Sequence, residues 1–272
     1  MARLPSSGVV QEMQHVVFDK DGYAVCKHPR FVPLQDGIVQ CTPEWFKQRK
    51  GRLTGSKYTN LYFISSEKEY DAYWEQVWNN GPREPFSDEA RGYMEYGKTH
   101  EDIALSFFLE QYKTIGDLYV AEAPFFPHTI DYLGASPDGI YAIYDGDAIK
   151  EQGVIEIKCP AKQRRPYAKF KAYYVAQTYA EMACSGLKNT IAISWGPRNM
   201  RVWRWRWDEK VWNVVSNIIE GFRNHVPYAQ FRELQHELEV VSNKVSKEAE
   251  CLHTGKGFPI SMGLNAGSRT AQ

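Results

Sequence analysis

Leu133-Gly134-Ala135-Ser136-Pro137-Asp138-Gly139-Ile140 and Gly153-Val154-Ile155-Glu156-Ile157-Lys158-Cys159-Pro160 decide how the rest of the chain is read. In the second run Ile155 and Ile157 alternate with Val154, Glu156 and Lys158, the period-two pattern of a short strand. That alternation puts Glu156 and Lys158 on one face and sends the isoleucines into a core on the other. Ser136-Pro137-Asp138-Gly139 is turn chemistry: proline fixes one backbone angle and glycine admits conformations that other residues resist. Asp138 therefore sits at a tight turn ahead of a second strand, Ile140-Tyr141-Ala142-Ile143. Pairing of the two strands through Asp145-Gly146-Asp147 brings Asp138 and Glu156 to one sheet end. Two carboxylates and an ammonium there describe a divalent-metal site with a partner for water or phosphate.

Alone, Glu-x-Lys on a strand is ordinarily a solvated face with a weak ion pair. Pro137-Asp138, at loop-length spacing ahead of Glu156-Ile157-Lys158, shifts that weighting. The combination resembles the PD-(D/E)xK nucleases, specifically their lambda-type exonuclease, or YqaJ-like viral recombinase, branch. The resemblance implies an α/β fold of restriction-endonuclease-like type, a central mixed β-sheet flanked by α-helices.

Upstream, Thr42-Pro43-Glu44 has the residues of a helix start: an N-cap hydroxyl, proline at the first helical position and an acid at the positive dipole end. Gly51 ends that helix, and a second begins near Ser56. Trp45-x-x-x-Arg49-x-Gly51-x-x-Thr54-x-Ser56 resembles the amino-terminal motif of the same family. The resemblance implies that Arg49 and Ser56 grip a 5′-phosphate, with Trp45 and Arg52 beside them. A planar guanidinium suits phosphate oxygens. Glu67 to about Asn80 is a helix with a Tyr70, Tyr73, Trp74, Val77, Trp78 stripe, read as core packing. Ser87 caps a long helix to about Tyr112, whose inward face is expected to hold Met94, Gly97, Glu101, Ala104, Leu105 and Phe108. Glu101 is an acid in an apolar stripe, costly unless a cation compensates. Gly97-x-x-x-Glu101 resembles the family motif whose Glu supports the metal site.

Leu118–Phe126 and Ile130–Leu133 are expected as strands leading to Asp138. After Pro160 comes the clearest charge feature: Lys158, Lys162, Arg164, Arg165, Lys169 and Lys171 with no acid among them. Tyr167, Phe170, Tyr173 and Tyr174 are interleaved, a mixture suited to tracking phosphates and stacking on bases. Tyr174-x-x-Gln177 on the next helix, ended by Gly186, resembles the family's Tyr-x-x-Gln motif, whose Gln lies by the active centre. Tyr179 stands where many members have a second Gln. Thr190–Trp195 and Met200–Trp207 form a hairpin with Trp203, Trp205 and Trp207 on one face, read as core. Asp208 caps a helix from Val211 to about Phe222.

The organisation expected is an irregular lead-in over 1–40, a nuclease domain over 41–225, a carboxy-terminal helix docking over 226–254 and a flexible tail over 255–272. At 272 residues, 43% hydrophobic and 14% aromatic, the chain can bury one large core. Its net charge is zero, so any contact with nucleic acid comes from a local basic groove. Five scattered cysteines form no Cys-x-x-Cys pair and are read as reduced thiols. No basic-then-apolar leader opens the chain and no apolar run approaches ~18 residues, so the nucleus or cytoplasm is expected rather than secretion or a membrane.

Together these features imply metal-dependent hydrolysis of DNA phosphodiesters. The resemblance adds action at duplex ends, a 5′-to-3′ exonuclease polarity and a single-strand annealing partner; because lambda-type relatives include both toroidal trimers and monomers, a homo-oligomer and a monomer both stay open. Asp138, Glu156 and the Ile157 carbonyl are expected to hold Mg²⁺, with Mn²⁺ as substitute. Lys158 orients or deprotonates the attacking water, and Glu101 and Gln177 complete the shell. Two rivals share these residues: an endonuclease of the same fold and a non-catalytic DNA-end-binding protein. The intact Asp138, Glu156 and Lys158 set argues against the latter.

Overall fold

The computed structural model describes residues 36–79, 81, 85–111 and 117–256, with short segments at 17–18, 24–25 and 30–32 ahead of them. Most of the expected lead-in, the Tyr112 end of the long helix and the tail beyond residue 256 lie outside these. β1 (Val17–Phe18) and β2 (Ala24–Val25) pair antiparallel, and β3 (Phe31–Val32) follows.

α1 (Pro43–Arg49) begins as its sequence dictates, with the Trp45 amide donating to the Thr42 hydroxyl at 3.3 Å. β4 (Leu53–Thr54), α2 (Ser56–Asn60) and α3 (Glu67–Trp78) follow; Ser66 caps α3 through the Glu69 amide. α4 (Asp88–Gln111) is capped by Ser87 and divides in two. Ile103–Leu109 is buried on every side, whereas Met94, expected to face inward, is 57% exposed. Its opening residues, 88–95, are exposed apart from the half-buried Ala90.

β5 (Asp117–Ala121) stops short of the expected Phe126, and Pro124, which has no N–H for a ladder, lies just beyond its end. β6 (Phe126–Pro127) and β7 (Leu133–Ala135) then flank a turn at 128–132 where a strand was expected. There the Ile130 amide donates to His128 Nδ1 at 3.0 Å and the Leu133 amide to the Ile130 carbonyl at 3.1 Å, so the backbone bonds locally. β7 lies between β4 and β6 in a small sheet and hands the chain to Asp138.

β8 (Gly139–Asp145) and β9 (Ala148–Lys158) form the anticipated hairpin, with Gly146 at φ +59° in its turn. α5 (Val175–Ser185) crosses back to β10 (Asn189–Gly196), which runs parallel to β9. Gly186 ends α5 at φ +73°. β11 (Asn199–Arg206), α6 (Glu209–Arg223), α7 (Tyr228–Glu248) and β12 (Glu250–Lys256) complete the order. The described main sheet runs β12-β11-β10-β9-β8-β5-β3 and is mixed: β9–β10 and β3–β5 are parallel, the remaining pairs antiparallel. At Gly153 a Cβ would come 2.4 Å from the Asn189 carbonyl oxygen, so only glycine lets these strands close up.

Helices cover both faces. Ile155, Ile157, Ile191 and Ile193 pack with the buried half of α4, while Val154, Ala192, Trp203 and Trp205 pack with α5, α6 and α7. Only residues 153–157 of β9 are buried on both faces, whereas β10 is buried along almost its whole length. α7 seats Phe231 and Leu238 in the core, and Gln235 Nε2 donates to the Leu61 and Ile64 carbonyls at 2.8 and 3.1 Å. A helix through residue 254 was expected; instead it ends at Glu248 and the chain returns as β12 on the open edge of β11. Arg204 holds that edge by reaching Glu250 at 2.7 Å. Among the described residues no helix is long and apolar enough to cross a membrane.

Candidate active site

The turn after β7 is braced from two sides. Gln40 Nε2 donates to the Pro137 carbonyl at 3.0 Å, and Trp45 Nε1 donates to the Ser136 hydroxyl at 2.9 Å. The α1 motif and the Asp138 turn, distant in sequence, are thus one structure. Gly139 pairs with Ile155, which puts Asp138 opposite Glu156. The Ile157 amide donates to Asp138 Oδ2 at 2.6 Å and pins that carboxylate to the end of β9.

Glu156 is only 1% exposed. The sequence placed it on a face opposite the isoleucine core; α5 covers that face too. Its two oxygens have different fates. Oε1 accepts from the Lys158 ammonium and from Gln177 Nε2, the latter at 2.7 Å. Oε2 is buried and has no hydrogen-bond partner among the described residues. Gln177 uses its second amide hydrogen on Glu181 Oε1 at 2.9 Å. The Lys158 nitrogen lies 4.6 Å from the Tyr174 ring centroid, a cation–π approach that holds the side chain over the strand end.

Electrostatics at this point are crowded. Burial, then Glu156 and Glu101, push the Asp138 carboxyl well above its ordinary pKa. Burial also raises Glu101 from α4, opposed by Lys158 and reinforced by Glu156. Burial and Glu156 raise Glu181 well above the usual carboxylate range. For Lys158 burial works against the charge, yet Glu156 and Asp138 outweigh it and lift the ammonium above the ordinary lysine value. Four acids and one ammonium meet in a poorly solvated space, an arrangement that invites a cation.

No three carboxylate, imidazole or thiol side chains among the described residues are disposed as a complete metal cage. The donors present are two carboxylates, Asp138 and Glu156, with the Ile157 carbonyl on the same strand. That set suits Mg²⁺, which keeps several of its waters and takes one or two protein carboxylates. The bare, buried Glu156 Oε2 is the observation that fits it; an ionised oxygen without a donor is costly unless a cation supplies the charge.

The expected DNA contacts are distributed unevenly. Arg49 lies with its guanidinium carbon 4.0 Å from the Trp45 ring centroid, and its Nη2 is 3.7 Å from where a Gly55 Cβ would be. Ser56 opens α2, and its side chain is outside the described set. Arg52 gives Nη1 to the Leu133 carbonyl at 2.9 Å, so it secures β7 rather than standing open. Lys162, Arg164 and Arg165 are exposed on the irregular segment after β9, which crosses so close to Gly196 that a Cβ there would lie 2.8 Å from the Arg164 carbonyl oxygen. Phe170, expected beside the tyrosines as a stacking surface, is 1% exposed and packs on Trp203 and Trp205. Tyr173 and Tyr174 do meet the outside, and Tyr173 lies 5.0 Å from the exposed ring of Phe63.

Sequence reasoning missed Glu181. The signal was present: an acid in an apolar helix, four residues after Gln177, the same anomaly that marked Glu101.

A mixed sheet sandwiched by helices, with Asp138, Glu156 and Lys158 gathered at one strand end, defines a restriction-endonuclease-like α/β protein. Residues 44–188, more than half of the chain, match the YqaJ-like viral recombinase domain, and the chain belongs to that family. Among solved structures, the alkaline exonuclease LHK-Exo of Laribacter hongkongensis aligns at 22% identity and a TM-score of 0.47, over 76% of this chain and 99% of that one. LHK-Exo in complex with dAMP aligns at 23% identity and a TM-score of 0.46 over the same shares. No curated protein is similar enough to count as a match.

Proposed function

We propose that this chain is a Mg²⁺-dependent DNA exonuclease that digests one strand of linear duplex DNA from a 5′-phosphorylated end. The observation that carries the reading is the division of Glu156, one oxygen anchored by Lys158 and Gln177 and the other bare, beside Asp138 at the end of β9. Asp138, Glu156 and the Ile157 carbonyl would hold a divalent cation, which when bound would acidify a water and neutralise charge on the phosphodiester.

The chain's own residues do the rest. Lys158, kept charged by Glu156 and Asp138, orients the water and faces the developing negative charge with a fixed cation. Gln177 and Glu101 hold the carboxylate shell in place. Arg49, propped on Trp45, takes the 5′-phosphate, and Trp45 ties that grip to the Asp138 turn through Ser136. Lys162, Arg164, Arg165 and Tyr174 line the approach and bear on the phosphate backbone. The strand left behind is a substrate for a single-strand annealing partner.

End-labelled linear duplex tests this, with and without Mg²⁺ and with 5′-phosphate or 5′-hydroxyl ends. Release of label only with Mg²⁺, faster from phosphorylated ends, is expected, as is survival of covalently closed circles. Cutting of closed circles would make the protein an endonuclease; no metal-dependent cleavage of any DNA would refute the reading.

A further inference from the structure

Glu181 sits on α5, one helical turn beyond Gln177, is wholly buried, and has no part in the metal set described above. A carboxyl group in an apolar layer is costly unless its position is used. Its Oε1 accepts one hydrogen of the Gln177 amide at 2.9 Å, and the other hydrogen goes to Glu156 Oε1 at 2.7 Å. The network fixes which end of the amide points where. Turned over, Gln177 would set its own oxygen against two carboxylates, acceptor against acceptor. With Glu156 as sole acceptor the amide is free to rotate about that one bond. With Glu181 as well, its plane is locked.

We propose that Glu181 is a positioning residue of the metal centre: by accepting the second Gln177 hydrogen, it holds Gln177 on Glu156 Oε1 and keeps Glu156 Oε2 free for a divalent cation. Glu181 also meets the Glu156 side chain directly; the part assigned to it is the one exerted through Gln177. The proposal rests on the metal-centre reading of Asp138 and Glu156 and assigns a part within it to a residue outside the family's Tyr-x-x-Gln motif.

Calorimetric titration of the full chain with Mn²⁺, in the absence of DNA, tests the proposal without relying on activity. Glu181→Met removes the acceptor at similar length, and metal affinity is expected to fall by roughly 10–100-fold, the usual cost of losing an outer partner of a ligand. Glu181→Gln keeps a carbonyl acceptor and is expected to restore affinity close to that of the unmodified chain. Paired with Gln177→Met, the Glu181→Met change should weaken metal binding no further, because its route is already gone. Equal isotherms for Glu181→Met and the unmodified chain would overturn the proposal, as would a Glu181→Gln variant as weak as Glu181→Met, or fully additive losses in the pair. Should Glu181→Met not fold, Glu181→Asp, which draws the acceptor back by one methylene, serves in its place; weaker binding supports the lock and unchanged binding removes it. A flat Mn²⁺ isotherm for the unmodified chain would instead remove the metal-centre reading itself.

Discussion

Asp138, Glu156 and Lys158 were legible in the sequence because what joins them is local. A Pro-Asp turn, a short hairpin and a period-two strand leave few ways for the three to avoid one another. What the sequence hid was the covering of Glu156: a Glu-x-Lys pair looks solvated until a helix from later in the chain lies over it. Hence Glu181 escaped notice, although Glu101 was found by the same reasoning. Two outcomes belong to this scale. Lys158→Ala should reduce the rate of phosphodiester cleavage by about 10²–10⁴-fold without weakening Mn²⁺ binding in calorimetry, because it frees Glu156 Oε1 of a competing cation. Asp138→Asn should abolish that binding, and an isotherm like that of the unmodified chain would remove Asp138 from the ligand set.

At the scale of elements, capping residues located the starts of α1, α4 and α6 well, since each cap is a bond between neighbours in sequence. Strand ends were harder. Pro124 and the His128 turn each break a run that hydrophobicity alone would extend, and β12 depends on a β11 edge some fifty residues earlier in the chain. Gly153 shows the same dependence on a remote neighbour. Nothing around it in sequence demands glycine, but the Asn189 carbonyl and the Tyr141 ring leave no room for a Cβ. Gly153→Ala should therefore destabilise the fold by about 3 kcal/mol, the upper end for overpacking. Gly186→Ala, whose φ of +73° is strained but whose surroundings are open, should cost only about 1 kcal/mol. Urea midpoints for the two variants check the order; an equal loss would mean that β9 and β10 yield more than their close packing suggests.

For the molecule as a whole, the family resemblance foretold helices flanking the sheet but not which helix takes which side. That pairing depends on long-range packing: among the described residues, α4 packs on one face and α5 to α7, with α2 and α3, in the cluster on the other. The open edge of β11 is covered by β12 and fastened by Arg204 to Glu250. A chain ending at Glu248 should bare that edge, melt at lower temperature and self-associate, as unpaired strands do. Light scattering and a thermal melt measure both effects; a truncated chain that scatters like the full chain with an unchanged melting temperature would show β12 to be dispensable.

The end of β9 that carries Glu156 and Lys158 receives Glu101 from the layer beneath the sheet and Gln177 and Glu181 from the layer above. Such a centre is not portable. Grafting the Asp138 turn and the β9 hairpin onto another scaffold would transfer two oxygens and an ammonium, but neither of the slabs that keep them dry and aligned. A designer wishing to move this chemistry must carry both helical floors along with the strand between them.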